Sequence, residues 1–198
     1  NERLHRSSTW VAIIALLLTL VVAPVAFAQE WEEDGNPMAT YDQALGGAFG
    51  PIIGTGLSYQ RWFDGVGIQT GFGATYSPED SWTGDLLWYL ATVGLQRMLY
   101  HETFADWFAG GLYAFGGASH RGVIPWVYPT DYDNPDAQPT VGAYEPYVAI
   151  GGGVGIESVL FRHFSIPVEF GLSVEWQIPS IIPSSAGFVG GVGLRYRF

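Results

Sequence analysis

Three groups of side chains have the types and spacing from which chemistry could be built. His163, Ser165 and Glu169 bring a base, a hydroxyl and a carboxylate into one short stretch. That is the set acyl hydrolysis uses when the base reaches the nucleophile and a third group orients the base. Ser119 and His120, adjacent in the chain, offer a second hydroxyl and base for the same chemistry. Asp131, Asp133 and Asp136 lie in the run Asp131-Tyr132-Asp133-Asn134-Pro135-Asp136, hard oxygen donors of the kind Ca²⁺ takes. The run lacks the glycine at the sixth position and the glutamate at the twelfth that an EF-hand loop requires, so a solvated acidic loop tip is its simpler reading. The third group is ionic: Glu157, Glu169, Arg195 and Arg197. None of the three has the specificity of a catalytic signature, and no cofactor is expected. Gly151-Gly152-Gly153 is not a phosphate loop, because it falls inside a predicted strand instead of between a strand and a helix.

What these groups can do depends on the elements that hold them. After a polar leader, Gln29 to Thr40, the chain reads as extended segments separated by turn residues. Strands are predicted at about 41–50, 54–63, 66–77, 85–99, 107–119, 143–161, 165–178 and 187–198, an even count of eight. Asp64-Gly65 is a two-residue hairpin signal, and 100–106 reads as a turn. The longest irregular stretch, His120 to Gly142, holds four prolines. In the seventh strand Ile166, Val168, Phe170, Leu172, Val174 and Trp176 oppose Ser165, Glu169, Gly171, Ser173 and Glu175. In the last, Phe188, Gly190, Val192, Leu194, Tyr196 and Phe198 oppose Val189, Gly191, Gly193, Arg195 and Arg197. The period of two gives these strands one apolar and one polar face, whereas the fifth is ambiguous and the fourth nearly apolar on both faces. A soluble sandwich would also alternate, yet its outer face would carry long charged side chains, and this chain has no lysine.

Arg3 and Arg6 precede an apolar stretch from Val11 to Val22, followed by Ala23-Pro24-Val25-Ala26-Phe27-Ala28. That order is expected of a cleavable secretory signal, residues 1–28, because Pro24 interrupts the stretch short of the roughly 20 apolar residues a spanning helix needs. The remaining 170 residues would carry 18 acidic against 6 basic side chains, a net charge of −12. Such a balance argues against nucleic acid as a partner, which needs a basic footprint. There is no cysteine, hence no disulfide and no lipid-modified cysteine.

The alternating strand 187–198, which ends on Phe198 with Tyr196 two positions back, resembles the terminal strand of bacterial outer-membrane β-barrels. The class it resembles is the small one of OmpX and the OmpA transmembrane domain. The resemblance implies an all-β, antiparallel, up-and-down transmembrane barrel over residues 41–198, located in the bacterial outer membrane. It also implies that Tyr196 and Phe198 form the assembly signal read by the barrel-insertion machinery. Outer-membrane lipids and lipopolysaccharide are the other partners it implies. Short turns would then face the periplasm and long loops the exterior. Trp62, Trp88, Tyr89, Trp107, Tyr144, Trp176 and Tyr196 fall near strand ends, where interfacial girdles sit.

In such a barrel Glu157, Glu169, Arg195 and Arg197 face the lumen near the periplasmic end. A hairpin about 179–186 would set Glu169 level with Tyr196, between the two arginines, and the turn at 162–164 would set Glu157 level with Glu169. Glu145 and Glu175 lie towards the other end with no assigned partner. The expected role is structural or surface interaction without catalysis. Two alternatives stay open: a narrow pore for small solutes or ions, and a lipid A-modifying enzyme. The His163/Ser165/Glu169 set stands at the wrong end of the barrel for surface lipid A. The deacylase of that kind carries a His and a Ser two apart on a lipid-facing strand, a pattern Ser119-His120 departs from.

Overall fold

Alternation of apolar and polar or small side chains makes most of the strands two-faced, and curling into a ring buries their polar faces together. The computed structural model describes residues 37–77, 85–127 and 139–198. The signal segment, most of the leader, the 78–84 connection and the aspartates Asp131, Asp133 and Asp136 lie outside the described residues. A single helical turn, α1 (Pro37–Thr40), leads into β1 (Gln43–Phe49), β2 (Gly56–Phe63), β3 (Val66–Tyr76), β4 (Asp85–Ala105) and β5 (Phe108–Val127). A two-residue ladder, β6 (Thr140–Val141), pairs with the end of β5. Then come β7 (Glu145–Leu160), β8 (Phe164–Gln177) and β9 (Ser185–Arg197).

All neighbours are antiparallel, in the order β4-β3-β2-β1-β9-β8-β7-β5, and β5 pairs back onto β4. The eight long strands therefore close with no free edge, the form that satisfies backbone groups without water. Faces follow the alternation. Phe72 is 55% exposed where Gln69 is 4%, and Phe170 is 60% exposed where Glu169 is 3%. Leu57, Ile68, Val93, Leu95, Ile156 and Leu194 share the outside with these phenylalanines. The core is the inside of the ring: Trp62, Met98, Tyr113, Phe115 and Val159, joined from below by Met38 of α1.

Three turns join strands at one end: Asp64-Gly65, residues 106–107, and residues 161–163. Asp64 and Gly65 both have positive φ (46° and 74°), as a two-residue hairpin turn matched to strand twist requires. The 50–55 and 178–184 connections lie at the other end.

Three expectations are corrected. Residues 100–105 are strand, not turn: β4 continues to Ala105 through bulges at Met98/Tyr100 and Thr103/Ala105. These bulges break the alternation, and with the polar His101-Glu102-Thr103 they mimic a loop. Second, β5 does not stop at Ser119 but runs to Val127, with Pro125 opposite Asp85 near the rim, where a missing N–H is tolerated. Third, Trp62 is not in a girdle. It points into the lumen, 2% exposed, with its ring 6.0 Å from Tyr113, and Trp88 shares the inward face of Leu90 and Thr92. Tyr89, Trp107, Tyr144, Trp176 and Tyr196 are on the outside or in turns, with Trp107 against Phe161 and Phe164 against Tyr196. Bilayers of brominated lipid should therefore quench the emission of Trp107 but not that of Trp62. Trp62→Phe should leave the quenchable fraction intact and Trp107→Phe should reduce it; the reverse would put Trp62 outside.

Candidate functional site

The lumen holds the densest polar chemistry among the described residues. It is built in layers. At the short-turn end, the inward face of β9 presents Arg195 and Arg197. Arg197 Nη2 lies 2.7 Å from Glu157 Oε1 of β7, and both side chains are completely buried. The same guanidinium donates to Gln60 Oε1 (3.1 Å) and to the carbonyl of Tyr41 (3.0 Å). Ser165 donates its hydroxyl to Glu157 Oε1. Arg195 Nε donates to Ser58 Oγ at 3.1 Å, while its Nη atoms have no hydrogen-bond partner among the described residues.

Glutamines connect the two carboxylates. Gln60 Nε2 donates to Gln96 Oε1 (2.7 Å) and, more weakly, to Glu157 Oε2 (3.4 Å). Gln96 Nε2 donates to Gln69 Oε1 (2.7 Å) and to Glu169 Oε1 (3.2 Å), which also accepts the Tyr113 hydroxyl at 2.9 Å. Two carboxylates and two guanidiniums thus share one enclosed space, stitched by three amides and a phenol. In such surroundings each bond is strengthened by the next, and any unpaired group is costly.

The four ionic residues are brought together, but not in the expected register. Glu169 stands opposite Gly191, Arg195 opposite Ser165, and Glu157 opposite Pro167. The β8–β9 connection is tighter than the hairpin about 179–186 implies: Glu175 pairs with Ser185, and Ser184 donates its N–H to the Glu175 carbonyl. Among the described residues Glu169 makes no salt bridge; its partners are Tyr113 and Gln96. Only the Arg197–Glu157 pair forms.

A second layer comes from the connection between β1 and β2. Residues 50–55 fold inward, so that Ile52 and Ile53 are 5% and 2% exposed inside the ring. Gly54, at φ 101°, and the bonds Gly54 N–H to Gly50 O (3.1 Å) and Gly50 N–H to Thr55 Oγ1 (3.3 Å) shape this inturned loop. The Ile53 carbonyl accepts from Gln69 Nε2 at 2.7 Å, tying loop to polar layer. Glycines on the wall make the seat: a Cβ at Gly151 or Gly117 would crowd Ile52, and one at Gly191 would crowd Ile53. The two cavities beside Glu169 are about 10 Å³ each, about one water apiece.

The third layer lies towards the loop end. Arg121 holds Glu175 through Nε (3.3 Å) and Nη2 (2.9 Å) and stacks 3.9 Å over the Tyr147 ring, whose hydroxyl donates to Glu145. Glu175 therefore has a cation, and Glu145 a phenol, as partner.

The hydrolytic sets do not assemble. His163 sits in a turn with Nδ1 2.8 Å from the Arg197 carbonyl and its ring stacked on Tyr196, Ser165 is engaged by Glu157, and Glu169 by Tyr113. Ser119 faces the lumen and His120 the outside, as adjacent residues of a strand must. Among the described residues no group of three or more His, Asp or Glu side chains could hold a metal ion. Sequence reasoning missed Gln60, Gln69, Gln96, Tyr113, Ile52 and Ile53. The glutamines had a signal, since each stands two residues from a Ser or Gly on the polar face of its strand.

No protein-family model and no curated protein sequence matches the chain. Two solved structures are similar. One is the N-terminal β-barrel domain of OprF from Pseudomonas aeruginosa, at 12% identity and a TM-score of 0.46, covering 79% of this chain and 95% of that one. The other is the outer membrane protein Ail of Yersinia pestis, at 15% identity and a TM-score of 0.32, covering 79% and 97%. With a ring closed by β4–β5, an apolar exterior and a polar, filled interior, this chain has the fold of a small eight-stranded antiparallel β-barrel, the architecture that membrane-spanning barrels share.

Proposed function

We propose that this protein is an integral barrel of the bacterial outer membrane that acts through its wall and surface loops, in a structural or surface-interaction role, without transport through the lumen and without catalysis. The short turns face the periplasm and the long loops the exterior, the arrangement usual for such barrels. Outer-membrane lipids and lipopolysaccharide surround the apolar wall.

The observation that carries this reading is the filled lumen. Eight strands enclose a space just wide enough for side chains. Here it is occupied by the Arg197–Glu157 pair and its glutamines, by Ile52 and Ile53, and by the Arg121–Glu175 pair. The glycine-rich walls, which favour a pore when read alone, accommodate the inturned loop. Liposomes containing the protein should swell in isotonic small sugars no faster than protein-free liposomes. Swelling that depends on solute size would favour the narrow pore instead.

A further inference from the structure

One seam of the outer wall is grooved. Along the seam between β4 and β5, Ala91, Val93, Ala118 and Val148 line an open groove of about 360 Å³, closed towards the loop end by His120. A second apolar groove, about 190 Å³, lies below it at Leu95, Ala114 and Gly116. The two follow one line of the wall, since Val93 pairs with Ala118, Leu95 with Gly116 and Arg97 with Ala114. From His120 to Ala114 the seam is about 20 Å long at 3.3–3.4 Å per residue, comparable with the apolar band of about 25 Å on such barrels.

The groove's upper end is polar in a specific way. His120 Nδ1 is 3.0 Å from the Tyr147 carbonyl, which can only accept, so Nδ1 carries the ring proton. In the neutral ring Nε2 is then an acceptor. It lies 2.9 Å from the Tyr89 hydroxyl and 3.2 Å from that of Tyr144, and the two phenol oxygens are 2.6 Å apart. One phenol donates to Nε2 and the other donates to the first. Both hydroxyl hydrogens are consumed, and only oxygen lone pairs remain to face outward, chiefly on the exposed Tyr144. Gly122 lies under both rings; a Cβ there would meet them. The neighbouring cation, Arg121, is turned into the lumen and held by Glu175.

We infer that this groove seats one acyl chain of an outer-leaflet lipid that carries N–H or O–H donors where its chain joins its head, namely the amide-linked hydroxyacyl chain of an acylated amino sugar. The apolar seam takes the chain, and the acceptor oxygens at its top take the amide or hydroxyl hydrogen. A lipid recognised through its phosphate would need donors or a free positive charge at the rim, and the cluster offers neither. The inference rests on the membrane-spanning reading and on the long loops facing outward.

The test uses the whole protein in nanodiscs of dimyristoylphosphatidylcholine containing a minority of lipid A, with the retained lipids counted by native mass spectrometry. Phosphatidylcholine has no N–H or O–H donor, so it is the control ligand. The wild-type protein should retain one lipid A with about tenfold enrichment over the bulk ratio, equivalent to about 1.4 kcal/mol. Tyr144→Phe, which removes the exposed oxygen and lies outside the barrel ladder, should return the ratio to bulk. Ala118→Leu, which fills the groove, should do the same. A bulk ratio for the inserted wild-type protein, or enrichment unchanged in both variants, would overturn the seat. Failure to insert into nanodiscs at all would instead refute the membrane reading and remove this inference with it.

Discussion

Replacing Glu157 with glutamine should cost the barrel about 3–5 kcal/mol, the usual loss when one partner of a buried ion pair is removed. The amide keeps the side-chain volume and an acceptor oxygen, so the loss isolates the charge. Arg197 is completely buried and has no other carboxylate within salt-bridge distance among the described residues; its remaining bonds go to neutral oxygens of Gln60 and Tyr41. The measurement is urea unfolding of the refolded protein in detergent, followed by the gel shift between folded and heat-denatured forms. An internal control exists in Arg61–Asp42, 3.2 Å apart but with side chains 44% and 35% exposed. Asp42→Asn should change stability by less than about 1 kcal/mol, because solvent screens exposed pairs. Pairing Glu157→Gln with Arg197→Met should recover part of the loss, since no buried cation is then left uncompensated. Equal effects of the Glu157 and Asp42 variants would mean that water reaches the inner pair.

Gly191→Val should have an effect of similar size by another route. A Cβ at Gly191 would lie 2.5 Å from Ile53 Cγ2, so the side chain and the inturned loop cannot both stay. Expulsion of the loop would lose the burial of Ile53, about 2–5 kcal/mol on the scale of large-to-small core substitutions. It would also strip Gln69 Nε2 of its partner, the Ile53 carbonyl. The variant should unfold earlier in urea, and limited proteolysis should cut within residues 50–55, where the wild-type chain resists. Combining Gly191→Val with Ile53→Ala should restore the resistance, because the methyl groups in conflict are gone. Cleavage of the wild-type protein at this loop would show that the loop is not seated in the lumen.

Much of the barrel is legible from alternation alone. In β3, β8 and β9 the apolar and small or polar residues separate cleanly, and there the faces and approximate limits are as the pattern implies. Where alternation is interrupted, legibility ends. The bulge between Met98 and Tyr100 shifts the phase of β4, so its last turnward stretch reads as a loop. Pro125 looks like a strand terminator, but it sits at the rim, where no ladder bond is demanded of it. Register is harder still. The inward placement of Glu157, Glu169, Arg195 and Arg197 follows from period two, but which of them meet depends on loop conformation, and the tight β8–β9 connection moves Glu169 away from Tyr196 to Gly191. Neutral partners leave the faintest trace. Gln60 and Gln69 face each other across the β2–β3 hairpin with Gln96 beside them on β4, but only closure of the ring sets them against the carboxylates of β7 and β8. Ile52 and Ile53 sit between a proline and a glycine in what reads as an outer connection, and nothing in that local pattern says that the loop turns inward.

Single-channel recording in planar bilayers asks most directly whether the barrel is closed. With the Arg197–Glu157 layer, the seated Ile52–Ile53 loop and the Arg121–Glu175 layer in series, the wild-type protein should add no resolvable steps to the bilayer baseline across the full voltage range the bilayer tolerates. Reproducible unitary steps from the folded, heat-modifiable protein, altered in size by Glu157→Gln, would contradict it and would make the same charged layers the lining of a pore.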